Sequence, residues 1–119
     1  MTGIDSVTTA ALGAALDAAS LRQQVIATNI ANASVAGRAA ERVRFEAAWA
    51  VARDGASAPR VVLESRTEPL LDASGRPAAV QLDREVAALA ENTLHHQALV
   101  RGLHRHLGLL ATAASEGKR

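Results

Sequence analysis

The chain has 119 residues, 49% of them hydrophobic but only 2% aromatic, and 13 basic side chains offset 12 acidic ones to a formal charge of +1. That length suits one domain with a modest core, and apolar mass drawn from alanine and leucine suits helices packed side by side. The near-zero charge offers no basic field for nucleic acid or an anionic membrane, and the lack of cysteine excludes disulfides, thiolate zinc sites and cysteine nucleophiles.

The first predicted element spans residues 4–33. Ile4, Val7, Ala11, Ala14, Ala18, Leu21 and Val25 recur at alternating spacings of three and four, the mark of a helical seam. A second row, Leu12, Leu16, Ala19, Ile26 and Ile30, widens the stripe into a face that can touch more than one neighbour. The alanine-rich stretch 7–19 lacks a basic flank and a cleavage pattern and carries Asp17, so it is not expected to be a cleaved signal peptide. No apolar run reaches the length needed to span a bilayer, and no membrane insertion is expected.

This helix closes on the pentad NIANA, residues 29–33. Two amides three apart near a helix end compete with the backbone for hydrogen bonds, so helix propensity did not select them. Asn29 and Asn32 therefore either cap the helix locally or pair specifically in a buried subunit contact. Gly37 is the expected helix stop, and Phe45 and Trp49, one turn apart, suggest a second short helical piece.

Residues 53–80 hold Pro59, Pro69 and Pro77 with Gly55 and Gly75; their one strand-like run is RVVLES at 60–65. A small hairpin or irregular loop is expected there. From Leu82 the pattern becomes regular again: Leu82, Val86, Leu89, Thr93, His96, Val100, Leu103, Leu107, Leu110 and Ala114 form a heptad seam, with Asp83 and Glu85 suited to the helix start. The expected fold is mainly α. Long N- and C-terminal helices form an antiparallel coiled-coil hairpin around a short irregular or β-hairpin middle, with segments 1–52, 53–80 and 81–119 in a single domain. Seams this long and apolar exceed what one partner helix can cover, so assembly is expected. Alanine-rich contacts are individually weak, and the terminal helices are expected to fray in an isolated monomer.

Few residues suggest chemistry. His95, His96, His104 and His106 include no pair at the one-turn spacing of a helical metal site. No nucleophile elbow, phosphate loop or dinucleotide fingerprint occurs. Arg101, Arg105, Lys118 and Arg119 are accounted for by cations favoured near a helix C-terminus, without interleaved aromatics for nucleic acid. No enzyme activity, catalytic residue, cofactor or metal is expected.

Arg22, Gln23, Val25, Ile26, Ala27, Asn29, Ile30, Ala31, Asn32, Ala33, Gly37 and Phe45 fall on the pattern RQxVIAxNIANAxTxGY followed by a charged stretch to Phe, which resembles the N-terminal helix of the flagellar axial rod and hook protein family. Leu82, Asp83, Glu85, Ala88, Leu89, Ala90, Glu91, Asn92, Leu94, Gln97, Ala98 and Leu99 resemble the VxLDxEMAxLAENxLxYQAL block of its proximal-rod members. Together the blocks cover about half the chain. Several positions depart: the family's Thr-Pro-Gly-Tyr turn is here Val35, Ala36, Gly37 and Arg38, His96 stands where tyrosine is usual, and Gly75, Arg76, Pro77, Ala78 and Ala79 replace the Gly-Asn turn before the last helix. The resemblance implies a structural subunit of the flagellar basal body that helps transmit torque through the periplasmic rod. It also implies export by the flagellar type III apparatus without a cleaved signal. The implied partners are other copies, other rod proteins, FliE, the MS ring and the export gate. The implied assembly residues are Arg22, Gln23, Val25, Ile26, Asn29, Ile30, Asn32, Gly37, Phe45, Leu82, Val86, Leu89, Asn92, His96, Gln97, Val100, Leu103 and Leu107. From another class, a soluble helical-hairpin adaptor or chaperone-type module would also suit the helices, as would a diverged rod paralogue.

Overall fold

Alanine- and leucine-rich segments free of proline carry the chain into two long helices. A computed structural model describes residues 2–50 and 60–117, and side-chain surroundings for 5–45 and 64–117. The expectations for the side chains of Ile4 and Trp49, and for Gly55, Pro59, Lys118 and Arg119, lie outside the described residues. Helix α1 spans Thr2–Ala31, strands β1 and β2 span Glu41–Ala50 and Arg60–Pro69, and helix α2 spans Leu82–Glu116. The expected architecture is what forms: two long terminal helices flanking a two-stranded antiparallel ribbon.

The helices run antiparallel. Asn29 contacts Glu85, Ala19 and Gln23 contact Asn92, and Asp5 contacts His106, so each step along α1 is a step back along α2. The molecule measures 64 × 34 × 20 Å with a radius of gyration of 18.9 Å. A compact chain of this length would have a radius of about 13.5 Å. The shape is a rod with little interior, and among the described residues the buried apolar ones are Ala18, Ala19, Val25, Ile26 and Ala40.

Helix α1 stops before the expected glycine. The Ala33 N–H bonds the Ile30 carbonyl, a tightened last turn, and the Asn32 side-chain amide donates to the Thr28 carbonyl at 2.8 Å. Gly37 acts later. With φ at 81° it is the third residue of the turn closed by Arg38 N–H on Val35 O. A type II turn needs positive φ at that place, which glycine supplies without a Cβ clash. The turn therefore forms without the proline and tyrosine of the family pattern.

The segment after that turn is a strand, not the short helix expected from Phe45 and Trp49. Val43, Phe45, Ala47 and Trp49 alternate with Arg42, Arg44, Glu46 and Ala48, a period of two. A spacing of four satisfies a helix turn and a strand face alike, and pairing with RVVLES decided between them. The ribbon runs in continuous register from Glu41 opposite Pro69 to Ala50 opposite Arg60. Arg44 faces Arg66 across it, a like-charge pair. Glu68 offsets this repulsion, taking Arg42 Nη2 at 2.6 Å and standing 3.8 Å from Arg44 Nη1.

Backbone bonds tie the base of the ribbon to the segment that leads into α2. Ala40 donates to Ala78 O and accepts from Leu70 N–H, both at 2.8 Å, and Ala78 donates to Leu70 O at 2.7 Å. Between them Asp72 organises a tight turn. Its Oδ1 accepts from Ser74 N–H, Ser74 Oγ and Arg76 N–H, and Gly75 takes φ 81°. These bonds, led by that from the Ser74 hydroxyl, hold the Asp72 carboxyl below its ordinary value of 3.8. No helix among the described residues is long and apolar enough to cross a membrane.

Candidate assembly surface and the polar seam beneath it

Asn29 is buried, 4% exposed, at the point where α1, β1 and α2 meet. Its Oδ1 accepts from Glu41 N–H at 3.0 Å and its Nδ2 donates to Glu41 O at 2.8 Å, so the carboxamide pairs with the first residue of β1 as a neighbouring strand would. The same Nδ2 donates to Glu85 Oε2 at 3.1 Å. One side chain thus joins the end of α1, the start of β1 and the first turn of α2. Of the two roles expected for the amides, Asn32 takes the local cap. Asn29 takes a third role, a tertiary clamp within the chain.

Asn92 is the second buried polar residue, 3% exposed. Its Nδ2 donates to Ala19 O at 2.9 Å and to Gln23 Oε1 at 2.7 Å. The close approach relies on Ala18 and Ala19, whose methyl groups leave room for a side chain to reach the α1 backbone. Asn92 Oδ1 is buried and has no hydrogen-bond partner.

The face that α2 turns to α1 differs from the expected seam. Glu85, Asn92, Leu99 and His106, seven residues apart, share the covered face with Leu89, His96, Leu103 and Leu110. Leu89, His96, Leu103 and Leu110 were expected there. Leu82, Val86, Thr93, Leu107 and Ala114 were expected beside them but are exposed, and Val100 is half-buried. The exposure of Leu82, Val86 and Leu107 reaches 51%, 52% and 47%. The row Glu85–Asn92–Leu99–His106 takes the place expected for Val86–Thr93–Val100–Leu107, one residue or roughly 100° away around the helix, so the covered face as a whole is displaced by about half that angle.

The sequence-predicted assembly residues therefore divide. Val25 and Ile26 are buried; Ile30, Leu89, His96 and Leu103 are half-buried. Gln23, Asn29, Asn32 and Asn92 make the bonds given above, and Gly37 shapes its turn. The Arg22 guanidinium lies 4.7 Å from the Phe45 ring centroid, which seats the ribbon against α1 as a cation–π pair. Gln97 joins the exposed Leu82, Val86 and Leu107 on the outside.

Sequence analysis did not anticipate Glu85, Leu99 and His106 on the covered row. Their seven-residue spacing with Asn92 was the available signal, masked because only apolar positions were counted. Ser20, Gln23, Gln24, Asn92, Thr93, His96 and Gln97 line an open cleft of about 440 Å³ beside that row. It carries no carboxylate, lysine or arginine to orient a charged substrate. Among the described residues no three histidine, aspartate or glutamate side chains converge on a point. Chemically, the arrangement holds helices in a defined rotation and leaves an apolar row outside. No protein-family model matches the chain, and no curated protein is detectably similar to it.

Proposed function

We propose that the chain is a structural subunit of the proximal rod of a bacterial flagellum, of the FlgB type. It self-assembles through its terminal helices to help carry torque from the MS ring. Its partners on this reading are further copies, other rod proteins, FliE and the export gate, and it reaches the rod by type III export. The supporting observation is the outer side of α2, where Leu82, Val86 and Leu107 lie about half exposed on a molecule 64 Å long. Exposed apolar side chains on an elongated subunit suit lateral packing against several neighbours, each contact weak alone. The N- and C-terminal blocks of the family resemblance support the same reading, since Asn29 and Glu85, one from each, bond to one another.

Deletion of the gene in its own bacterium tests this. The strain is expected to lose filaments and swimming, the wild-type chain to restore both, and Val86→Asp or Leu107→Asp to fold normally yet fail to restore them. A deletion strain that still swims would refute the rod role and leave a helical-hairpin adaptor as the working alternative. Location of the gene among flagellar genes is a quicker check in the same direction.

A further inference from the structure

Helix α2 has two rows that a partner helix can cover, and α1 covers the less apolar one. Val86, Thr93, Val100 and Leu107 repeat every seven residues, and directly beside them run Glu85, Asn92, Leu99 and His106. If burial of apolar surface chose the face, the first row would lie inside. Instead each polar member of the second row reaches α1: Glu85 accepts from Asn29 at 3.1 Å, Asn92 donates to Ala19 O and Gln23 Oε1, and His106 Nε2 stands 3.4 Å from Asp5 O.

We propose that this polar row, with Asn92 at its centre, selects the rotation of α2 against α1 and so keeps Val86, Thr93 and Leu107 exposed, with Val100 half-buried at the edge of the covered face. A buried amide in a helix seam accepts only the arrangement that meets its hydrogen bonds, and specificity is gained at some expense of stability. Three features fit that role and not a stabilising one. Asn92 is buried almost completely, its Nδ2 hydrogens are both engaged across the seam, and its Oδ1 has no partner. Turning α2 by one residue would break both bonds and bring Thr93 to the Ala19 carbonyl. The selection operates within one chain and does not depend on the rod assignment.

The natural chain has no cysteine, so introduced pairs report cleanly. A Cβ at Gly102 would meet Leu12 Cδ2 at 3.9 Å, so the pair Leu12→Cys with Gly102→Cys samples the observed face. In the pair Leu12→Cys with Leu103→Cys, the second site is half-buried at the covered face, and a one-residue turn would bring it into the place of Gly102. In the natural background the first pair is expected to form its disulfide faster. In Asn92→Leu the order is expected to invert, with the helical circular-dichroism signal retained. Asn92→Leu combined with Thr93→Asn, which moves the amide to the other row, is expected to invert it further. An unchanged order in either folded variant would overturn the proposal. Loss of helix in Asn92→Leu would also overturn it, because the amide would then be needed for folding and not for the choice of face.

Discussion

The two ends of the α1–α2 hairpin are held by different means. At the junction end, where the chain leaves for the ribbon and returns, lie all the residues found buried: Ala18, Ala19, Val25, Ile26, Asn29, Ala40 and Asn92. Asn29 and Asn92 bridge elements there, and backbone bonds from Ala40 and Ala78 close the base. At the free end, α1 residues 5–16 and α2 residues 99–116 have none among the described side chains that is fully buried. A polar bridge at that end joins His106 to Asp5 O at 3.4 Å, and Val7, Leu107 and Leu109 stand exposed. The contrast separates two tasks. The junction fixes the rotation and register of the helices; the free end leaves apolar side chains exposed.

The sharpest way to break this comparison is a matched pair of truncations. Ile26→Ala at the junction is expected to destabilise by about 2–4 kcal/mol, as for a buried aliphatic side chain. Leu103→Ala, half-buried toward the free end, is expected to lose only about 1 kcal/mol. Equal shifts in denaturant midpoint would erase the distinction. Asn29→Ala follows at about 2–3 kcal/mol, since it strips partners from Glu41 N–H and O and from Glu85 together. A loss below 0.5 kcal/mol (about one weak hydrogen bond) would remove the clamp.

Native-state hydrogen exchange sharpens the same contrast without mutation. Amides 19–31 are expected to exchange slowly and amides 5–14 quickly in dilute monomer, because opening follows local contact density. Uniform protection along α1 would contradict both the contrast and the fraying expected from its alanine content.

Smaller effects test details. Gly102→Ala should stabilise by about 0.5–1 kcal/mol, since its new methyl meets only Leu12 Cδ2 at 3.9 Å and helix propensity improves. A drop in melting temperature would mean that the helices approach more closely than described. The smallest effect concerns the turn at the base. Because the folded-state pKa of Asp72 is lowered from 3.8, its contribution is present above that value and is lost as pH falls through the folded pKa. Asp72→Asn should therefore show a slightly shallower loss of stability with acid below about pH 4; identical acid curves would show that the turn does not feel this carboxylate.

Much of the fold was legible because it rests on local patterns. Three-and-four spacing located both helices, and the run RVVLES located the second strand of the ribbon. Phe45 and Trp49 misled, because a spacing of four fits a helix turn as well as a strand face and the partner strand lay elsewhere in the chain. The candidate surface was half legible. Counting apolar positions found Leu82, Val86 and Leu107 but placed them inside, since hydropathy ranks surfaces and does not know which hydrogen bonds a neighbouring backbone offers.

By itself the sequence determined that there are two long helices, where they begin and end to within a turn, and that their apolar surface exceeds one partner. Periodicity carries that information without reference to any other segment. Only the tertiary structure decided which row of α2 faces α1, that Asn29 serves β1 and α2 together, and that Gly37 shapes a turn six residues past the end of α1. Each of these depends on where a distant carbonyl or N–H lies. That position is set by the assembled backbone and is not encoded in local spacing.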